Sequence, residues 1–285
     1  MRIVNIQKEN PGELNLKTMA KVAPIIPMSN SLGDFSLYRL RGEEKLIMRA
    51  KGGASKAQIA SSPAFARLRL RQSEFKGSGK GAGFIMRTFW SWKDLADYNI
   101  AGSLNKICNI IQTRDVVNPL GTRSVKFTEH GRLLEGFNLN RKHPFDSLIT
   151  QSPTHSFIKS ECKAILSYPE LNPLVNLFNP WNIAYFRIVI GLGIIPDLVF
   201  KGKTYEPANP SQIFNPARVV TEWIASSATT PPQTKEISLD PSLFVDDTSS
   251  LLLSVGIEFG RPLSGSLIET VKYSGSAKIL GVATR

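Results

Sequence analysis

The residues most suggestive of chemistry lie between Glu74 and Gly83, where Glu74-Phe-Lys-Gly-Ser-Gly-Lys-Gly-Ala-Gly83 crowds four glycines and two lysines together. A phosphate-cradling loop needs Gly, four residues, then Gly-Lys followed by Ser or Thr, with a buried strand leading in. Here Lys80 follows Gly79 but precedes Gly81, and no such strand comes before. The run therefore reads either as a flexible connector or as a helix face so small that another backbone can approach it. On the second reading Gly77, Gly79, Gly81 and Gly83, with Trp90 just beyond, are the expected contacts between copies of the chain.

Nothing else in the chain assembles into a reactive set. Asp246-Asp247 is a pair of carboxylates, yet neighbours on a strand point to opposite faces, and after Pro241 and Phe244 the pair reads as a solvated turn. There is no Gly-x-Ser-x-Gly elbow, and Cys108 sits in a helical apolar pattern that makes it core rather than nucleophile. His130, His143 and His155 are far apart in sequence, with no ligand spacing and no neighbouring cysteine. Cys108 and Cys162, alone in separate halves, read as free thiols. The expectation is a non-enzymatic protein without metal or cofactor.

Charge is the strongest remaining signal. From Leu37 to Arg87 there are twelve Lys/Arg against three acids, so this stretch holds +9 of the chain's +12. From Arg123 onward the net is only +2. A concentrated single-sign segment attracts polyanions or acidic surfaces. The candidate contacts are Arg49, Lys51, Arg67, Arg69, Arg71, Lys76 and Lys80. On a helix Arg67 and Arg71 share a face while Arg69 points away; on a strand all three line one face.

Three regions must position these groups. Residues 1–121 form a basic hairpin-plus-helical region. Its hairpin is Phe35 to Arg41, a turn at Gly42-Glu-Glu, then Lys45 to Arg49, with alternating apolar and polar residues on both sides. Lys51-Gly52-Gly53 breaks the strand. A short helix is capped by Ser55 with Gln58 three residues on, and a longer one follows Ser62-Pro63. The clearest helix is capped at Ser91, carries Leu95, Tyr98, Leu104, Ile107, Cys108 and Ile111 at helical spacing, and ends near Thr113. Residues 122–159 read as a connecting region.

Residues 160–285 hold seven or eight β-branched and aromatic runs between Pro, Gly, Asn and Asp turns, which predicts an antiparallel β-sandwich, Ig-like or jelly-roll-like. Trp181 and Trp223 would either fill its core or stack on a sugar. The fold class is α+β: an N-terminal hairpin and helical arm followed by an antiparallel β-sandwich. No run reaches the length of a membrane span and no signal peptide is evident, so the expectation is a soluble protein, cytoplasmic or part of an assembled particle.

The pattern Arg49-x-Lys51-Gly52-Gly53-x-Ser55-x-x-Gln58-Ile59, then Ser62-Pro63-Ala64-Phe65-x-Arg67 and Ser73-Glu74-Phe75, resembles a group of uncharacterised proteins of Bacteroidota bacteria over about residues 33 to 87. The resemblance implies a Gly-rich hairpin, a helix-bearing N-terminal half and a C-terminal β-sandwich, and it implies no function. Two functional classes lead. The first is a structural, self-assembling homo-oligomer, a subunit of a particle, filament or surface array, whose basic arm meets a neighbour or a polyanion. The second is a sequence-nonspecific nucleic-acid-binding protein; a carbohydrate-binding module stands third.

Overall fold

The apolar runs of the second half pair antiparallel, and helices from the first half cover one face of the resulting sheet. A computed structural model describes residues 19–22, 30–32, 34–39, 46–210, 216–240, 246–265 and 267–284. The chain is α+β and divides into two compact units, Met1–Phe65 and Ala66–Arg285. That division differs from the expected boundary near residue 121, because the long helices share a core with the sheets.

In the first unit β1 (Met19–Val22), β2 (Asn30–Leu32), β3 (Phe35–Arg39) and β4 (Leu46–Ala50) form an antiparallel sheet of order β1-β4-β3-β2. β3 pairs with β4 from Phe35↔Ala50 to Arg39↔Leu46, and the turn expected between them lies outside the described residues. Leu46 and Ile47 are buried. Gly53 takes φ +100° after β4, a conformation that glycine adopts without Cβ strain. The chain then enters α1 (Lys56–Ser61), where the Ser55 hydroxyl accepts from Gln58 N–H and the Gln58 side chain accepts from Ser55 N–H.

The second unit begins with α2 (Ala66–Thr88), a 3-10 segment Trp90–Leu95 and α3 (Ile100–Thr113). The helix expected from Ser91 starts at Ile100 instead. Ala96 is extended, and the Asn99 side chain accepts from Ala101 N–H, which makes Asn99 the cap. The strands follow as β5 (Thr154–Ile158), β6 (Lys163–Tyr168), β7 (Tyr185–Pro196), β8 (Leu198–Lys201), β9 (Thr204–Pro207), β10 (Ala217–Val220), β11 (Ile224–Ala225), β12 (Gln233–Ser238), β13 (Ser249–Ser264) and β14 (Leu267–Ala283). They form a five-stranded sheet of order β10-β7-β13-β14 with β11 also on β7, a three-stranded sheet β12-β6-β5, and the pair β8-β9.

β7 and β13 read as continuous apolar runs because both faces of the large sheet are covered. On one face Phe186, Ile188, Ile190 and Leu192 join Leu253, Val255 and Ile257 in a core shared with Ala164 and Leu166 of β6 and Ile237 of β12. On the other, Val189, Ile195, Leu252, Ala277 and Ile279 meet Ala82, Phe84 and Ile85 of α2, Trp92, and Leu104, Cys108 and Ile111 of α3. This second covering layer was not part of the expected sandwich. Gly191 is what lets it approach: a Cβ there would collide with the Trp92 ring.

Residues 122–159 are more than a connection, since Val125, Phe127, Leu134 and Leu139 are fully buried in the helix-side core. Among the described residues no helix is long and apolar enough to cross a membrane.

Candidate functional site

α2 carries most of the chemistry singled out in the sequence, and its two faces differ. At about 100° per residue, the buried positions Glu74, Gly77, Ser78, Gly81, Ala82, Ile85 and Thr88 define an inward face. The glycine run is therefore helix, not connector. A Cβ on Gly77 would sit 2.8 Å from the Gln112 amide and the Tyr205 ring; one on Gly81 would meet Phe127 at 3.0 Å and the Cys108 sulfur at 3.4 Å. Gly77 and Gly81 are thus closed off inside the chain, which corrects the expectation that they contact another copy. Gly83 has nothing within 4 Å of such a Cβ, and Gly79 only the Asn105 amide at 3.8 Å. The side chain of Trp90 lies outside the described residues.

Glu74 is the helix's single acid, and it points inward. Its carboxylate accepts from Arg123 Nε at 2.5 Å and Nη2 at 2.7 Å and from Gly121 N–H at 3.0 Å, with Arg71 at 3.7 Å. Burial pushes its pKa up; the Arg123 and Gly121 hydrogen bonds and the charges of Arg123 and Arg71 outweigh that and hold the carboxyl below its usual value. Glu74 is neutralised from within and does not cancel the charge outside.

The outward face is what remains. Arg69, Lys76, Lys80 and Arg87 follow one another by seven, four and seven residues, which keeps them within about 40° of one another around the axis over about 27 Å of its length. Lys76, Lys80 and Arg87 are exposed and Arg69 is half-buried. Lys80 donates one of its three N–H groups to the Tyr205 carbonyl at 2.6 Å, which anchors the side chain without removing its charge. Arg87 lies over the Phe84 ring at 4.9 Å. Exposed Gly83 and half-buried Gly79 fall among these cations. α3, packed beside α2, has no acid and adds exposed Lys106.

The expected contacts on α2 fall on two sides of the helix. Arg69, Lys76 and Lys80 line up, Arg67 and Arg71 share a different side, and Arg49 and Lys51 are exposed in the first unit. Arg87 and Lys106 were missed, although the helical phase of Arg87 with Lys76 and Lys80 was readable in the sequence.

The other candidates are held in structural roles. Asp246 accepts from Thr248 N–H and from the Thr248, Ser249 and Asn209 side chains, which lower its carboxyl to about 2 against the opposing effect of burial. It organises a turn. Cys108 and Cys162 are buried free thiols, and burial pushes Cys108 up to about 12. Trp181 packs against Phe259 and His143, while the Trp223 ring faces the Arg187 guanidinium at 4.3 Å. Among the described residues no group of three or more His, Cys, Asp or Glu is placed to hold a metal ion. No protein-family model, no curated protein and no solved structure matches this chain.

Proposed function

We propose that this is a non-enzymatic structural protein that holds a polyanion, a nucleic-acid backbone first among them, along the outward face of α2. The observation that carries the reading is the row of Arg69, Lys76, Lys80 and Arg87 on a helix whose only acid is buried and paired. Gly79 and Gly83 strengthen it. Each mid-helix glycine costs about 0.5–1 kcal/mol relative to Ala. The interior explains that cost at Gly77 and Gly81 but not at the outward pair, where a close-approaching partner would use the missing side chain. Binding is indifferent to base sequence, since phosphate contacts position without specifying. The test is retention on duplex DNA against salt: four phosphate contacts give a slope of log K on log salt near −3.6. Changing the four cations to Gln should abolish most of it, and a native protein that ignores DNA and heparin at about 50 mM salt ends the proposal.

A second reading is self-assembly of the β-sandwich body that the two large sheets of the second unit would form, and it rests on β13 and β14. Beyond Gly260↔Tyr185, β13 has no partner among the described residues but β14, so the two strands leave the sheet as a ribbon with Leu263 and Leu267 exposed by 59% and 57%. Exposed apolar ends of this kind suit a contact between copies. Sedimentation velocity should show an oligomer that Leu263→Lys with Leu267→Lys converts to monomer; a monomer at the outset removes this reading.

A further inference from the structure

Four adjacent strands of the large sheet each send one polar side chain to the helix-covered face. Arg218 comes from β10, Arg187 from β7, Glu258 from β13 and Thr270 from β14. Glu258 is the hub, its side chain only 5% exposed. Arg187 donates to it from Nε at 2.8 Å and lies 2.7 Å away through Nη2, and the same Nη2 reaches Thr270 Oγ1 at 3.2 Å. Arg218 reaches the other carboxylate oxygen at a longer 3.3 Å and stays about a third exposed. Trp223 lies across Arg187 and holds its plane in position.

These groups floor a cleft of about 310 Å³, a size at the lower end of small-molecule sites. Its wall includes Trp92, a fully buried residue whose indole Nε1–H has no acceptor among the described residues. The rim charges are matched in pairs, Asp94 with Lys272 and Glu269 with Arg261. The floor is not matched. Two guanidinium groups share one carboxylate, so one positive charge is left over, and Arg218, about a third exposed, lines the cleft.

We propose that this cleft binds a small monocarboxylate, whose oxygens take the guanidinium fork of Arg218. One negative charge balances the floor, whereas a dianion would also meet Glu258, Glu269 and Asp94 at close range. Planar, bidentate recognition is what arginine offers a carboxylate. A sugar acid and a peptide C-terminus share that chemistry. The site is distinct from the cationic face of α2 and does not depend on it.

The experiment is calorimetric titration of the full-length protein with glucuronate, N-acetylglycine, glucose and sulfate. Glucuronate or N-acetylglycine should bind at millimolar concentration or below, and which of them does so identifies the source; glucose and sulfate should bind more weakly. Arg218→Gln leaves the Arg187–Glu258 pair intact and should weaken binding by about tenfold or more, the usual size of a charged hydrogen bond. Arg218→Lys, which keeps the charge and loses the fork, should also weaken it and serves if the Gln variant fails to fold. The proposal is overturned if neither carboxylate binds, if glucose or sulfate binds as tightly, or if both variants bind like the native protein.

Discussion

The inward and outward faces of α2 are made from the same few residue types and obey opposite rules. Inside, Gly77 and Gly81 are small because Tyr205, Gln112, Phe127 and Cys108 occupy the space a side chain would need, and the charge of Glu74 is cancelled by Arg123. Outside, Gly83 has open room before it and Gly79 meets only the Asn105 amide at 3.8 Å, and Arg69, Lys76, Lys80 and Arg87 stand in a row on a helix whose one acid is turned inward. One face is determined by the fold. The other is not, and it is there that a partner should be sought.

The sharpest way to break this contrast is Arg123→Ala, which strands the buried Glu74 carboxylate and should cost about 3 kcal/mol in urea unfolding. The same pair gives a pH signature. The folded pKa of Glu74 is depressed, so its contribution is present above the unfolded value near 4.5 and is lost as pH falls through the lower folded value. Asp246 behaves alike, losing its contribution between about 3.8 and about 2. Glu74→Gln should flatten the upper part of that acid limb; an unchanged limb would show that the pair is not what holds the inward face.

Next in size is Gly77→Ala. It gains helix propensity yet drives a methyl into Gln112 and Tyr205, so thermal unfolding should report a loss of about 1–3 kcal/mol. Smallest is the identical change on the other face, Gly83→Ala, which meets nothing and should stabilise by about 0.5–1 kcal/mol. If the two alanine variants shift stability in the same direction, the distinction between the faces fails.

The sequence told much of this story, but unevenly. The Ser55–Gln58 box marked the start of α1, because that signal is local. Glycine carries no hydropathy signal, so nothing within the run separated Gly77 from Gly79. Nothing local marked Glu74 as buried, because its partners Gly121 and Arg123 lie far along the chain. The runs at Glu269–Tyr273 and Ala277–Val282 read in sequence as two strands, yet both belong to β14, whose residues 271–274 bulge out between two stretches paired with β13, with positive φ at Tyr273 and Gly275. The Arg187–Arg218–Glu258 cluster was invisible for the same reason as Glu74: it exists only once three strands are side by side.

The helix-side core joins Ala82 and Ile85 of α2 to Ala277 and Ile279 of β14, from opposite ends of the second unit's sequence. Chain closure on that scale must precede any reward from the contact, which places this fold among slow formers. During synthesis at about 5–20 residues per second, the apolar side of α2 and α3 waits many seconds for its sheet. A nascent chain lacking β14 should therefore leave those helices open to proteolysis and chaperone binding, and pulsed hydrogen exchange during refolding should find α2 amides protected no earlier than those of β13 and β14.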